Sequence, residues 1–191
     1  GTVTLEGKPV TIHGDLEVAG PGADLLAFDA ARYSRVFDVR PGVTVVLSSL
    51  AITGGDAFDD GGGGIRNTGS LSLECVAISG NSAYSGGGVA NVFGTLTVSN
   101  STISGNSVTS GGGGLFSEKA TTQLTNSTLA DNSAGSGGAS VAQAETDSPK
   151  PSARAMWTNL RMGHLQRGRG RLAAAAATQH QVEDGGQEQA E

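Results

Sequence analysis

Along residues 44 to 130 the apolar positions fall in short, alternating runs. Val45 and Leu47, Leu71 and Leu73, Leu96 and Val98, and Leu124 alternate with Val46, Ser72, Thr97, and Gln123 and Thr125. A period of two marks a strand with one buried face. A second short strand follows each of these, at Leu50/Ile52, Val76/Ile78, Ser101/Ile103 and Ser127/Leu129, and after a loop of small residues a third opens at Ile65, Val89 and Leu115, each preceded by glycines. None of the segments is long enough for a helix.

Two landmarks recur in step. Ile52, Ile78, Ile103 and Leu129 are spaced by 26, 25 and 26 residues, and Ile65, Val89 and Leu115 by 24 and 26. A unit of about 25 residues with three strands and bends between them makes one coil of a solenoid, each strand pairing in parallel with its equivalent one coil later at about 4.8 Å. A lone coil does not hold, because its few inward side chains, at ~1.5–3 kcal/mol each, do not offset ordering at ~1–2 kcal/mol per residue. Stacking is therefore obligatory. The expected core is Val45, Leu47, Leu50, Ile52, Ile65, Leu71, Leu73, Val76, Ile78, Val89, Leu96, Val98, Ile103, Leu115, Leu124 and Leu129.

The bends have their own residues. Ser49, Cys75, Asn100 and Asn126 stand between the first and second strands. Asparagine tolerates left-handed backbone and bonds along a column of like residues, so Asn100 and Asn126 are expected to form a structural ladder at this bend, with Cys75 a small, poorly reactive substitute. Asn81, Asn106 and Asn132, which close "ISGN", "ISGN" and "LADN", are expected to form ladder positions too. The glycine runs 61–64, 86–88 and 111–114 are expected where backbone approaches backbone or φ is positive.

The chain divides in two. Residues 1–139 are the expected solenoid domain, with irregular first coils over 1–43 (strand-like at Val3/Leu5, Val10/Ile12, Leu16/Val18, Leu25–Phe28 and Val36–Val39) and regular coils over 44–139. Residues 140–191 have no period and read as a low-complexity tail, disordered, weakly helical or out of frame. Six basic and twelve acidic side chains lie in 1–134, but six of each in 135–191.

Composition narrows the partners. The formal charge of -6 and pI near 5.0 leave no overall basic field for nucleic acid. A single cysteine, Cys75, excludes an intramolecular disulfide and a cysteine-based zinc site. No apolar run approaches the ~20 residues of a membrane-spanning helix.

With "GGGI" (62–65), "GGGV" (86–89) and "GGGL" (112–115) preceding strands and "ISGN", "ISGN" and "LADN" closing others, the chain resembles right-handed parallel β-helix proteins of the pectate-lyase-like superfamily. More narrowly it resembles bacterial surface proteins with polymorphic outer-membrane-protein-type repeats, with an aliphatic residue in place of the Phe of their Phe-x-x-Asn tetrapeptide. The resemblance covers residues 1 to about 139 and implies an extracellular or cell-envelope location, with the export signal outside this sequence.

Candidate chemistry is sparse. Asp56, Asp59 and Asp60 share a loop and are the calcium-ligand candidates. No later coil repeats an acid there, since Ala83–Ser85 and Val108–Ser110 take the place, and this favours a solvated loop. His13, Glu74, Glu118, Arg66 and Lys119 do not compose a set that would neutralise a uronate and take its proton. No catalytic residue is assigned and no cofactor is expected. "NST" at 100–102 and 126–128 matches the glycosylation acceptor pattern, although the bend already accounts for the Asn. The expected function is a non-catalytic exported or cell-surface repeat scaffold that contacts a glycan or a surface protein. The alternative is an incomplete polysaccharide lyase or hydrolase. A solenoid's open end also predicts edge-to-edge self-association.

Overall fold

The structure, a computed structural model, describes residues 1–135 and the backbone of two further strands, Val141–Ala144 and Arg161–Gly163. It is an all-β parallel solenoid of about 26 residues per turn, and the described residues contain no helix. Among the described residues every strand pairing is parallel and joins one turn to the next.

Four sheets form the walls. Sheet I stacks Leu16–Ala19, Thr44–Ser48, Ser70–Glu74, Thr95–Ser99 and Thr121–Thr125. Sheet II runs from Thr2–Thr4 through Ala27–Asp29, Ala51–Thr53, Ala77–Ser79, Thr102–Ser104 and Thr128–Ala130 to Arg161–Gly163. Sheet III stacks Asp56–Gly61, Ser82–Ser85, Ser107–Val108 and Ser133–Ala134. Sheet IV stacks Val10–Ile12, Phe37–Val39, Ile65–Asn67, Val89–Val92, Leu115–Glu118 and Val141–Ala144. Each regular turn thus carries four strands rather than the three expected. The small-residue loop is the missing one: its residues Ser82, Ala83, Ser107 and Val108 pair in register, and only Ala83 and Val108 face inward and are buried. Strands as short as Ser107–Val108 and Ser133–Ala134 carry too little alternation to be seen from sequence.

The register follows the apolar columns. Val45, Leu71 and Leu96 stack in sheet I, Ile52, Ile78, Ile103 and Leu129 in sheet II, and Ile65, Val89 and Leu115 in sheet IV. All sixteen expected core residues are buried. A one-residue slip in any strand would turn its column outward, so the pattern fixes the register. The irregular first coils add Ile12, Ala30, Val36, Phe37, Val39 and Val43, with the Phe28 and Phe37 rings 5.1 Å apart and tilted by 58°. Val3 and Leu16, in the first strands, stay 42% and 37% exposed.

Glycine is required where sheet III turns into sheet IV. Gly62, Gly86 and Gly111 have φ of 76°, 57° and 77°. A Cβ on Gly64 would lie 2.5 Å from the Gly88 carbonyl oxygen, and one on Gly88 2.6 Å from that of Gly114. No side chain fits between rungs this close.

Val141–Ala144 lies inside the segment assigned to the tail, yet it pairs with Leu115–Glu118 with Val141 opposite Leu115, keeping the period past residue 139. Arg161–Gly163 pairs with Thr128–Ala130. The remaining expectations for 140–191 fall outside the described residues.

Candidate functional site

The interior holds a polar column as well as apolar ones. Where sheet II turns into sheet III, Asn81, Asn106 and Asn132 are buried one above another. The Asn106 side-chain oxygen accepts from both the backbone N–H and the Nδ2 of Asn81 at 3.0 Å, and Asn132 does the same for Asn106 at 3.0 Å. Each Nδ2 also donates to the carbonyl of an isoleucine one turn below: Ile52, Ile78 and Ile103. The column starts at Gly55, whose N–H donates to Asn81 Oδ1. This ladder satisfies backbone groups that the turn would leave unpaired in the core.

The expectation for Asn100 and Asn126 needs correction. Both stand at the bend between sheets I and II with left-handed backbone, φ 50° and 49°, as do Ser49 and Cys75 at 54° and 53°. Their side chains are exposed and make no hydrogen bond among the described residues. The ladder at this corner is instead one residue on, where the buried Ser101 and Ser127 accept from the N–H groups of Val76 and Ser101. A left-handed residue at the bend points its side chain outward, away from the next rung. Cys75, expected as a small substitute at this bend, is likewise exposed.

A second ladder was missed. Asn67 and Asn91, paired in register in sheet IV, are buried, and Asn67 Nδ2 donates to Asn91 Oδ1 at 2.8 Å. Asn91 in turn donates to Thr122 Oγ1, and this accounts for a hydroxyl in the column of Leu71 and Leu96. The signal was present: "GIRN" and "GVAN" place each Asn two residues after the glycine-run apolar residue.

The outer surface gathers its chemistry on sheet III. Phe58 and Tyr84, 71% and 54% exposed, each follow one of the paired alanines Ala57 and Ala83 on adjacent rungs. Phe58 helps to bound an open cavity of about 260 Å³ with Asp56, Ser82, Ser107 and Thr109, with Ala83 and Val108 as its floor. Tyr33, also exposed, sits one turn earlier, next to Ser34, whose carbonyl accepts from Asp56 N–H.

The three aspartates differ in role. Asp56 lines the cavity, and Asp59 is exposed. Asp60 accepts from Arg35 at 2.7 Å and lies 3.6 Å from Arg66. Burial alone would raise its pKa, but hydrogen bonds from Arg35 and from the Gly61 N–H, with the charges of Arg35 and Arg66, hold its carboxyl below the ordinary carboxylate value. Asp60 is therefore committed to arginine. Among the described residues no three His, Cys, Asp or Glu side chains converge as a metal site. Next to this cluster Asp38 is buried, 3.5 Å from Arg40 through Oδ2, and its Oδ1 has no partner. His13 is exposed at the end of Val10–Ile12, and Glu74 is exposed at the end of its sheet I strand.

No protein-family model matches the chain, and no curated protein or solved structure matches it either.

Proposed function

We propose that this chain is a non-catalytic exported or cell-surface repeat scaffold, and that sheet III holds a glycan. The observation that carries the reading is the exposed ring of Phe58 on a cavity bounded by one carboxylate and three hydroxyl side chains, with the exposed Tyr84 next in the chain to the lining residue Ala83. Sugar rings present apolar C–H faces and a rim of hydroxyls. Large exposed aromatics match the first, and Asp56, Ser82, Ser107 and Thr109 match the second. Adjacent rungs about 4.8 Å apart give a linear oligosaccharide successive contacts along the solenoid axis. The fold fits the right-handed, pectate-lyase-like and polymorphic outer-membrane-type resemblance of the repeats, and an extracellular or cell-envelope surface is the setting in which such a face meets glycans.

The hydrolase form of the enzyme alternative asks for an acid with a raised pKa close to a second carboxylate, and the lyase form for a base beside cations that neutralise a uronate. Asp60 is shifted the opposite way by its arginines. The scaffold reading is the better match to this face.

The test is titration calorimetry of the full chain against a panel of neutral and acidic oligosaccharides, with product analysis of the same mixtures. Binding without cleavage, weakened about tenfold or more by Phe58→Ala and by Tyr84→Ala, is the expected result. Binding that ignores both substitutions, or none across the panel, overturns the sheet III assignment. Release of shorter products would turn the reading to the enzyme.

A further inference from the structure

The corner between sheets I and II lies across the coil from the one where sheet III turns into sheet IV, and it carries the two exposed asparagines. The described part of the chain has seven asparagines. Asn67, Asn81, Asn91, Asn106 and Asn132 are buried and hydrogen-bonded, and none of them is followed two residues later by Ser or Thr. Asn100 and Asn126 are exposed, and each opens an Asn-Ser-Thr triplet. Exposure and the triplet coincide at these two positions and at no other described asparagine.

The bend does not require asparagine. Ser49 and Cys75 occupy the same column with the same left-handed φ. Nor is the amide used for folding, since neither side chain bonds another described residue. The middle serines, Ser101 and Ser127, are buried and tie the loop down by donating to the carbonyls of Ser99 and Thr125 at 2.7 and 2.8 Å. Thr102 and Thr128 open the next strands, and Thr102 is exposed. Each triplet is thus a fixed bend that offers a free carboxamide.

We propose that Asn100 and Asn126 are acceptor sites for N-linked glycan. The Asn-X-Ser/Thr pattern is the recognition unit for this modification on exposed loops of exported chains. The co-reactant is a lipid-pyrophosphate-linked oligosaccharide, used by an oligosaccharyltransferase. The Asn side-chain nitrogen forms a bond to the anomeric carbon, and the bond from that carbon to the pyrophosphate oxygen breaks. The lipid pyrophosphate leaves with the electron pair, and one amide proton passes to a base on the transferase. Asn100 N–H donates to the Thr125 carbonyl, so the two acceptors are on neighbouring rungs. At a rung spacing of about 4.8 Å a glycan on one crowds the other, and single occupancy dominates. Modification here leaves the sheet III face uncovered.

The full chain, exported behind a secretion signal from a eukaryotic host, is analysed by intact mass and peptide mapping before and after peptide-N-glycosidase. The expected result is glycan confined to Asn100 and Asn126, mostly one per chain. Asn100→Gln and Thr102→Ala abolish it at the first site, Asn126→Gln and Thr128→Ala at the second, and either single loss raises occupancy of the other. Exported, folded chain without glycan overturns the proposal, as does glycan that persists in the Asn100→Gln/Asn126→Gln double variant. The glycan-binding assay of sheet III is independent of this outcome, because Asn100 and Asn126 take no part in that cavity.

Discussion

Asparagine occupies an inner and an outer column of this solenoid, and the two obey different rules. Asn81, Asn106 and Asn132 are locked by hydrogen bonds that cross from rung to rung inside the coil. Asn100 and Asn126 stand outside on a bend where only the left-handed backbone is constrained. In the inner column each side chain is both donor and acceptor for its neighbours, so a change at one rung removes hydrogen-bond partners from two others. In the outer column each residue answers only for its own φ, and serine and cysteine serve as well. Recurrence in sequence is the same for both. What separates them is whether the repeated side chain finds its partner in the next turn.

The widest separation is expected between Asn106→Ala and Asn100→Ala. Losing the Asn106 carboxamide strands the buried Asn81 N–H and takes a donor from the Ile78 carbonyl, while Asn81 Nδ2 keeps its bonds to the Ile52 and Ser79 carbonyls. A buried group left unpaired costs ~1–3 kcal/mol, so Asn106→Ala is expected to lose about 2 kcal/mol or more. Asn100→Ala strands nothing and raises only the cost of a positive φ, about 1 kcal/mol or less. Urea unfolding of residues 1–191 measures both. Equal losses would erase the distinction between the columns.

Much of this was legible in the sequence, for a physical reason. Apolar columns repeat because each strand faces the same column, so the 25- to 26-residue spacing of Ile52, Ile78, Ile103 and Leu129 gave the register that the strand pairs adopt. The "ISGN" and "LADN" asparagines were recognisable as ladder residues by the same periodicity. Asn100 and Asn126 were not separable from them, because repetition reports a position in the coil and not the direction of a side chain. Sheet III was missed since Ser82, Ala83, Ser107 and Val108 offer one inward residue per strand. The aromatics of that face were hidden for a related reason. Phe58 and Tyr84 have Thr109 at the equivalent place one turn later, so no column announces them. The Arg35–Asp60 contact joins residues 25 apart, one turn, but no later coil repeats it.

The outer surface offers a smaller test of the same contrast. Asp60 is about half exposed and bridges Arg35 and Arg66, and surface pairs of this kind contribute ~1 kcal/mol or less. Its carboxyl is held below the ordinary value in the folded chain, so its stabilisation is full above the unfolded pKa of about 3.9 and is lost as pH falls through the lowered folded value. Asp60→Asn is therefore expected to cost about 1 kcal/mol or less at neutral pH, with the gap closing at acid pH. The urea midpoint of both proteins, followed from neutral to acid, decides it. A gap that stays constant would mean that Asp60 acts through shape rather than charge.

The smallest effect is expected at Cys75, and it has the opposite sign. Cysteine at φ 53° carries the steric cost of a Cβ in left-handed backbone, which asparagine tolerates better. Cys75→Asn extends the outer column to three asparagines and is expected to stabilise the fold by a few tenths of a kcal/mol, up to about 1. Cys75→Gly removes the Cβ altogether but adds freedom to the unfolded chain, so its gain is expected to be the smaller of the two. Both are compared by urea midpoint under reducing conditions, because the thiol is exposed. If Cys75→Asn destabilised the fold instead, the outer bend would depend on a side-chain contact of its own, and the two columns would differ in degree rather than in kind.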